Sequence, residues 1–220
     1  DIIGMKTDRA LERGTPLTFE ALEKGAVLFV TNNANTEDLY QWLSERETKV
    51  YKVENKLTPE MVEELKPSFV ISFNYRYLIP EEVLRRLPGR VINLHTSLLP
   101  YNRGSSPNFF SFLYDTPKGV TIHLVDKGLD TGDILCQKEI VFDEEKETFA
   151  SSYDRLLLEV GELFKENWER IRSGCLEPRK QQGEGSCHRM REVAAIREQM
   201  PFTWFETVAD FKRRYREYLT

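Results

Sequence analysis

Apolar runs of four to six residues alternate with amphipathic stretches through the first two thirds of the chain. The run at residues 26–30 is apolar throughout, which is typical of a strand buried on both faces of a sheet. Leu39, Trp42 and Leu43 then recur at i, i+3 and i+4, which predicts a helix with one buried face. A strand, a polar turn and a helix in this order indicate an α/β domain.

The same pattern predicts strands at residues 49–53, 68–73, 90–94, 119–125 and 134–141. Short helices separate the earlier strands, so we expect parallel pairing with right-handed crossovers. The last two strands are too close in sequence for a helical crossover, which predicts an antiparallel pair. The expected fold is therefore α/β and Rossmann-like, with a mixed, mostly parallel sheet flanked by helices.

Further helices are predicted where apolar residues keep a helical period. Two turns at 17–24 would end at Gly25, and a helix at 105–114 would begin with Ser106 as N-cap and Pro107 at the first position. We expect this helix N-terminus to be exposed and able to receive an anion. Longer stretches with the same helical period predict helices at 148–173 and 205–219.

Composition narrows the class of protein. The 220 residues are 40% hydrophobic and 30% charged, as in a soluble globular protein, and no apolar run approaches the ~20 residues that span a bilayer. A net charge of −5 argues against broad nucleic-acid binding. Three cysteines without metal-ligand spacing, and no visible signal peptide, lead us to expect a cytoplasmic protein without a metal site or a membrane association.

The candidate chemistry lies at the end of the fourth predicted strand. Asn93 and His95 are two residues apart, so both project from one face, at the carboxyl end where open α/β sheets bind ligands. Asp130 follows in a loop that can bring a carboxylate to them. Each residue alone is more often structural, but the combination is specific.

The sequence Asn93-x-His95, the following Ser-Leu-Leu-Pro at 97–100, and the later Asp-Thr-Gly at 130–132 resemble the 10-formyltetrahydrofolate-dependent formyltransferase family. The resemblance covers roughly residues 26–190. It implies a formyltransferase that takes 10-formyltetrahydrofolate as formyl donor. The chain would then divide into an N-terminal extension at 1–25, a catalytic domain at 26–190 and a helical tail at 191–220 packed on that domain.

In such a reaction Asn93 would donate an amide N–H to the oxyanion of a tetrahedral intermediate. His95 would stabilise that charge as imidazolium or move a proton, and Asp130 would orient the imidazole or take the proton. Which of His95 and Asp130 is the base stays open. His123 could face the site or fill a core position, and we expect His188, in an irregular segment, to lie at the surface.

The resemblance also implies ligand-binding residues. Backbone groups of the loop before the fourth strand, and residues near Asp130, would hold the folate. The residues expected to bind the cofactor are Tyr77, Leu78, Ile79, Asp126 and Leu129. Those expected to bind the substrate are Tyr75, Arg103, Ser106 and Asn108.

Details around the motif are most similar to the N-formyltransferases of nucleotide-linked sugars. They imply a dideoxy-aminohexose with dTDP as the expected nucleotide, a role in surface polysaccharide and a homodimer. A phosphoribosylglycinamide formyltransferase is one alternative, although the turn after the first strand lacks its Gly-rich loop. Methionyl-tRNA formyltransferases carry a further C-terminal domain, for which we expect no room after Ser173. A formyl hydrolase or a non-catalytic folate- or nucleotide-sugar-binding protein are the remaining alternatives.

Overall fold

The computed structural model describes residues 25–220, which form two compact units. The first contains the described residues up to Val91 together with Glu169–Cys175. The second contains Ile92–Trp168 and Leu176–Thr220.

The predicted division of the chain differs from these units. The helix expected at 17–24, and all but the last residue of the extension expected at 1–25, lie outside the described residues. The boundary expected at 190 falls inside the second unit, so the three-part division stays a prediction.

Parallel strands form the centre of the first unit. β1 (Val27–Val30) pairs with β2 (Val50–Val53) on one edge and with β3 (Phe69–Phe73) on the other. All residues of β1 are 0% exposed, as its uninterrupted apolar sequence predicts. The helices of this unit are α1 (Glu37–Ser44), α2 (Pro59–Leu65) and α3 (Glu81–Arg86).

Antiparallel strands form the second unit. β4 (Val91–His95) pairs with β6 (Gly119–Leu124), and β6 pairs with β7 (Ile134–Glu139). Both parallel and antiparallel pairs therefore occur, as predicted. Two short strands, β5 (Arg103–Gly104) and β8 (Cys187–His188), pair in parallel beside them.

The helices of the second unit pack around an aromatic cluster. α4 (Pro107–Leu113) is buried at all of its seven positions, and Phe109 and Phe110 lie in the cluster. The predicted exposed N-terminus of this helix is wrong for that reason. Ser106 adopts a left-handed φ of 54° and makes no side-chain capping bond.

The other helices are α5 (Phe149–Arg172), which belongs to this unit as far as Trp168, α6 (Met190–Gln199) and α7 (Val208–Leu219). The sequence pattern did not predict α6, whose apolar face is narrow. The last helix begins at Val208 rather than at Phe205, because the Thr207 side chain caps it by accepting from Asp210 N, 3.2 Å away. Val193 of α6, and Val208 and Phe211 of α7, pack in the same cluster as the phenylalanines of α4.

Candidate active site

β4 presents two polar side chains on one face. Asn93 and His95 are two residues apart and therefore project to the same side. The antiparallel register places Asn93 opposite His123 and His95 opposite Thr121. The strand pair thus brings a third polar side chain, His123, beside the two that the sequence singled out.

The turn after β4 is fixed by the strands next to it. Thr121 Oγ1 donates to Ser97 O at 2.7 Å and accepts from Leu99 N at 3.1 Å. Gln137 Nε2 donates to Leu99 O at 2.8 Å. These bonds account for the backbone groups of a buried turn, so the Ser-Leu-Leu-Pro stretch has one defined path.

Asp130 joins the two polar side chains of β4. Its Oδ1 accepts from Asn93 Nδ2 at 3.2 Å, and its Oδ2 lies 3.8 Å from His95 Nδ1 and accepts from Gly104 N at 2.9 Å. Asp130 has a left-handed φ of 52°. Gly132 follows where a Cβ would lie 1.7 Å from Leu124 O, so only glycine lets the loop approach the end of β6. The predicted convergence of the three side chains is confirmed, while their catalytic roles stay predictions.

His95 is buried and neutral at neutral pH. Its Nε2 is 3.3 Å from Asn102 O, and a carbonyl only accepts, so Nε2 carries the proton and Nδ1 has a free lone pair on the side of Asp130. Burial lowers the pKa of His95, and the carboxylate of Asp130 opposes that shift only in part. A buried neutral imidazole facing an anion is a suitable proton acceptor.

Asp130 is ionised. Burial acts to raise the pKa of its carboxyl, but the positive charges that His95 and His123 carry when protonated at low pH, together with the N–H of Gly104, outweigh burial and hold the pKa well below its usual range. A carboxylate that accepts several hydrogen bonds is a weak base. Its contribution to the site is therefore a fixed negative charge.

His123 is only 1% exposed and belongs to the site. Its Nδ1 is 2.8 Å from Leu124 O and so carries the proton, which leaves Nε2 to accept from Asn93 Nδ2 at 3.3 Å. His123 Nε2 also lies 3.5 Å from Asp130 Oδ1. Of the two interpretations that the sequence left open, the structure places His123 beside the proposed catalytic residues.

The Asn93 amide is already engaged. Its nitrogen has two hydrogens, and Asp130 Oδ1 and His123 Nε2 are the two acceptors within reach. The predicted donation to an oxyanion therefore requires the exchange of one of these bonds.

The C-terminal strap, which we define as residues 181–188, contacts the site. Gln181 Nε2 donates to Asp130 O at 2.8 Å, and Ser186 Oγ accepts from Asn102 N at 2.8 Å. His188 is 8% exposed and stacks on Phe110 with a centroid distance of 3.9 Å. The predicted surface position of His188 is wrong, because the pairing of β8 with β5 buries this side chain. The segment before it is mostly exposed, as predicted.

Sequence reasoning missed Gln181, Asn102 and Ser186. Asn102 had a detectable signal, since it lies in the motif and asparagine tolerates the left-handed φ of 55° found there. Gln181 and Ser186 had none, because nothing local marks a residue that meets the site from a distant part of the chain.

Two of the predicted substrate residues have structural roles. Asn108 is buried and donates from its amide to Phe149 O and Ser152 Oγ, so its prediction is wrong. Tyr75 donates its hydroxyl proton to Asn55 O at 2.7 Å and has none left for a ligand.

Arg103 and Ser106 are half-buried in the second unit. Arg103 donates to Gln181 Oε1, and within residues 25–220 no carboxylate lies within 4 Å of its guanidinium. It therefore keeps an uncompensated positive charge.

The predicted folate loop lines a pocket in the first unit. Tyr77, Leu78 and Ile79 share a pocket of about 560 Å³ with two cations, Lys56 and Arg76. The Leu78 side chain is 72% exposed and is therefore free to contact a ligand.

The other two predicted folate residues lie in the second unit. Asp126 is exposed and closes its own loop, because its Oδ1 accepts from Gly128 N at 3.0 Å and from Thr131 Oγ1 at 2.7 Å. Leu129 is 42% exposed and lies against Gly104. Leu129 is thus free to contact a ligand, whereas the Asp126 side chain shapes the loop.

A family model described as formyl transferase matches residues 20–166. The chain belongs to the formyl transferase family. The methionyl-tRNA formyltransferase of Clostridium novyi is 32% identical over 185 residues, which cover 82% of this chain and 54% of that protein. The chain spans about half the length of the curated relatives it matches.

The matches to two solved structures of the family cover a larger share of those proteins than the matches to the curated relatives do. The formyltransferase PseJ from Anoxybacillus kamchatkensis, in complex with UDP-4,6-dideoxy-4-formamido-L-AltNAc and tetrahydrofolate, is 36% identical with a TM-score of 0.77. The match covers 84% of this chain and 96% of PseJ. A Mycobacterium tuberculosis protein proposed as a sugar N-formyltransferase is 28% identical, with a TM-score of 0.71 over 79% of this chain and 78% of that one. The predicted fold class, a mixed, mostly parallel sheet flanked by helices, is confirmed by these likenesses.

Proposed function

We propose that the protein transfers a formyl group from 10-formyltetrahydrofolate to the amine of a nucleotide-linked dideoxy-amino sugar. The observation that carries this proposal is the convergence of Asn93 and His95 on the carboxylate of Asp130. The likeness to PseJ over nearly its whole length supports the substrate class.

His95 is the proposed base. The acceptor amine attacks the formyl carbon, and a new C–N bond forms while the carbonyl oxygen becomes an oxyanion. The amine proton passes to His95 Nδ1, and Asp130 stabilises the resulting imidazolium. His95 then returns the proton to the folate nitrogen as the bond between that nitrogen and the formyl carbon breaks.

Asn93 is the proposed oxyanion donor. The exchange of its bond to His123 Nε2 for one to the oxyanion leaves the bond to Asp130 in place, so the amide turns little. A donor that is held before the reaction costs little reorganisation during it.

The pocket of the first unit is the proposed donor site. Tyr77, Leu78 and Ile79 offer apolar and backbone surface for the aromatic part of the folate. Lys56 and Arg76 on the same pocket supply positive charge for its carboxylates.

Arg103 is the proposed anchor of the acceptor's pyrophosphate. It is a cation without a carboxylate partner in the described chain, next to the backbone that supports Asp130. The sugar in PseJ is UDP-linked and carries a 4-formamido group, so we place a UDP-linked 4-amino sugar ahead of the dTDP-linked one as first acceptor to test.

Methionyl-tRNA formylation is the second candidate function, because methionyl-tRNA formyltransferases are 32–38% identical to parts of this chain. The net charge of −5 favours the smaller substrate, since RNA binding benefits from a basic surface.

One assay separates the candidates. Purified protein would be incubated with 10-formyltetrahydrofolate and each of a panel of UDP-, dTDP- and GDP-amino sugars, glycinamide ribonucleotide and methionyl-tRNA, while tetrahydrofolate release is recorded. We expect turnover with an amino sugar and a loss of at least ~100-fold in His95→Ala and Asn93→Ala, as for removal of one oxyanion donor. Turnover with methionyl-tRNA alone, tight binding without turnover, or release with no acceptor present would overturn the proposal.

We further infer a cytoplasmic homodimer with a role in surface polysaccharide. Within the described residues 25–220 no helix is long and apolar enough to cross a membrane. Light scattering after gel filtration measures the mass, and a species near 25.8 kDa would contradict the dimer.

A further inference from the structure

Gln181 bridges two parts of the candidate site. Its Nε2 donates to Asp130 O at 2.8 Å and to Gly132 O at 2.9 Å. Its Oε1 accepts from Arg103 Nε at 3.0 Å and from Arg103 Nη2 at 2.6 Å. Both amide hydrogens and both carbonyl lone pairs are therefore used, which fixes the side chain in one orientation.

The first pair of bonds holds the loop that carries Asp130. In this loop, which connects β6 to β7, Asp130 has a left-handed backbone conformation. That conformation is less favourable for a residue with a side chain than for glycine, so contacts with the surroundings must stabilise it. Gln181 holds the carbonyls of Asp130 and Gly132, on either side of the exposed Thr131. It thereby constrains the backbone from which the carboxylate reaches Asn93 and His95.

The second pair of bonds holds the guanidinium of Arg103. Gln181 is neutral, so it orients this group without cancelling its charge. Gly185 lies behind it, where an added Cβ would be 3.1 Å from Arg103 Cζ and 2.6 Å from Pro100 O. Nη1 of Arg103 makes no hydrogen bond within the described part of the chain and stays available to an anion.

We propose that Gln181 is a positioning residue that links the anion-binding Arg103 to the loop that carries Asp130. The proposal rests on the function proposed above, in which the acceptor carries a pyrophosphate. Gln181 lies outside residues 20–166, to which the family model corresponds. The part of the chain that follows the common catalytic core would thus connect recognition of the acceptor with the geometry of the catalytic groups.

Two variants and a matched control test this role. Gln181→Met keeps the length of the side chain and removes all four bonds, whereas Gln181→Glu keeps the acceptors for Arg103 and removes both donors to the loop. Gln182→Ala is the control, since Gln182 is the same residue type next in sequence and is exposed.

Steady-state kinetics separate the two halves of the role. We expect Gln181→Met to lower kcat about tenfold and to raise the KM for the nucleotide sugar about tenfold, the scale of one or two lost hydrogen bonds for each half. Gln181→Glu lowers kcat equally, and it raises KM more at low salt than at high salt because its carboxylate neutralises Arg103. Gln182→Ala changes neither constant by more than about twofold.

A second readout does not depend on activity. NMR of histidine labelled with ¹⁵N follows the titration of His95, whose ring faces Asp130 and His123. A carboxylate that moves away favours the imidazolium less, so in both Gln181 variants the His95 midpoint moves to lower pH, and in Gln182→Ala it stays. An unchanged midpoint together with wild-type kcat and KM in Gln181→Met would overturn the proposal.

The two proposals fail in different ways. If wild-type protein formylates no nucleotide sugar, the proposed function fails, while the His95 midpoint still reports whether Gln181 holds the Asp130 loop. If wild type is active and the Gln181→Met variant loses only thermal stability, Gln181 is structural and the positioning role is wrong.

Discussion

Asn93 lies directly across the β4–β6 ladder from His123, and its amide nitrogen is 3.3 Å from His123 Nε2. Since His123 Nδ1 donates to Leu124 O, the ring presents a lone pair to Asn93 rather than a hydrogen. His123 and Asp130 together therefore define the direction of the Asn93 amide before any substrate arrives.

This relationship predicts that an acceptor at position 123 matters more than the shape of the side chain. His123→Gln retains an acceptor for Asn93, whereas His123→Leu removes it. We expect kcat to fall about tenfold in His123→Leu, because the Asn93 amide is no longer held in the donating direction before the reaction, and less than threefold in His123→Gln. Equal losses in the two variants, measured at matched Tm, would show that His123 acts by packing alone.

The pH dependence follows from the buried state of His95. Burial lowers its pKa, so the neutral, proton-accepting ring persists below the ordinary imidazole value of ~6.5. We expect the acidic limb of kcat/KM to lie below pH ~6.5, since activity is lost only as pH falls through the lowered pKa.

The Asp130→Asn variant tests the direction in which Asp130 shifts the pKa of His95. Asp130 acts to raise the pKa of His95, so its neutralisation moves the acidic limb to still lower pH, and the rate falls because the imidazolium loses its counter-charge. A limb that moves to higher pH would contradict the assignment of His95 as the base.

Gly104 is predicted to be required for activity, because a side chain at this position would clash with a neighbouring strand and because its backbone has a positive φ. It has a φ of 86°, its N–H donates to Asp130 Oδ2, and an added Cβ would lie 2.4 Å from His188 O. We expect Gly104→Ala to separate β5 from β8, to lower kcat at least ~10-fold and to destabilise by more than the ~1–2 kcal/mol of left-handed strain.

Gly183 is the matched control. Its φ is 84°, but nothing lies within 4 Å of an added Cβ. Gly183→Ala should therefore show only the left-handed strain, ~1–2 kcal/mol in urea unfolding, with near wild-type kcat. Comparable kcat losses in the two variants would argue against the Gly104 N–H as a support of Asp130.

The aromatic cluster should dominate the stability of the second unit. Phe109 is 1% exposed and has ring neighbours that include Phe149, Phe202 and Phe211, whereas Phe205 is 80% exposed. We expect Phe109→Ala to lower the free energy of unfolding by about 3–5 kcal/mol and Phe205→Ala by less than about 0.5 kcal/mol. Denaturant unfolding measures both, and similar values for the two would contradict the packing of Phe109 in the cluster.

Elements whose residues contact their own neighbours in sequence were predicted well. The strand at residues 26–30 followed from an unbroken apolar run, and Thr58 caps α2 by accepting from Met61 N as a Thr-Pro pair suggests. The short connection between β6 and β7 required antiparallel pairing. The helix α6 was not predicted, because its apolar residues follow the helical period only weakly. Its stability comes from the aromatic cluster against which it packs.

For the site, the sequence by itself determined that Asn93 and His95 share a face, because strand periodicity is local, and it identified Asp130 by its motif. Only the tertiary structure decided that His123 accepts from Asn93, that Asn102 orients His95, and that Gln181 holds the loop of Asp130. Those contacts join residues up to 51 positions apart. Such a contact depends on strand register and chain path, and these are set by the packing of the whole unit rather than by the residues that make it.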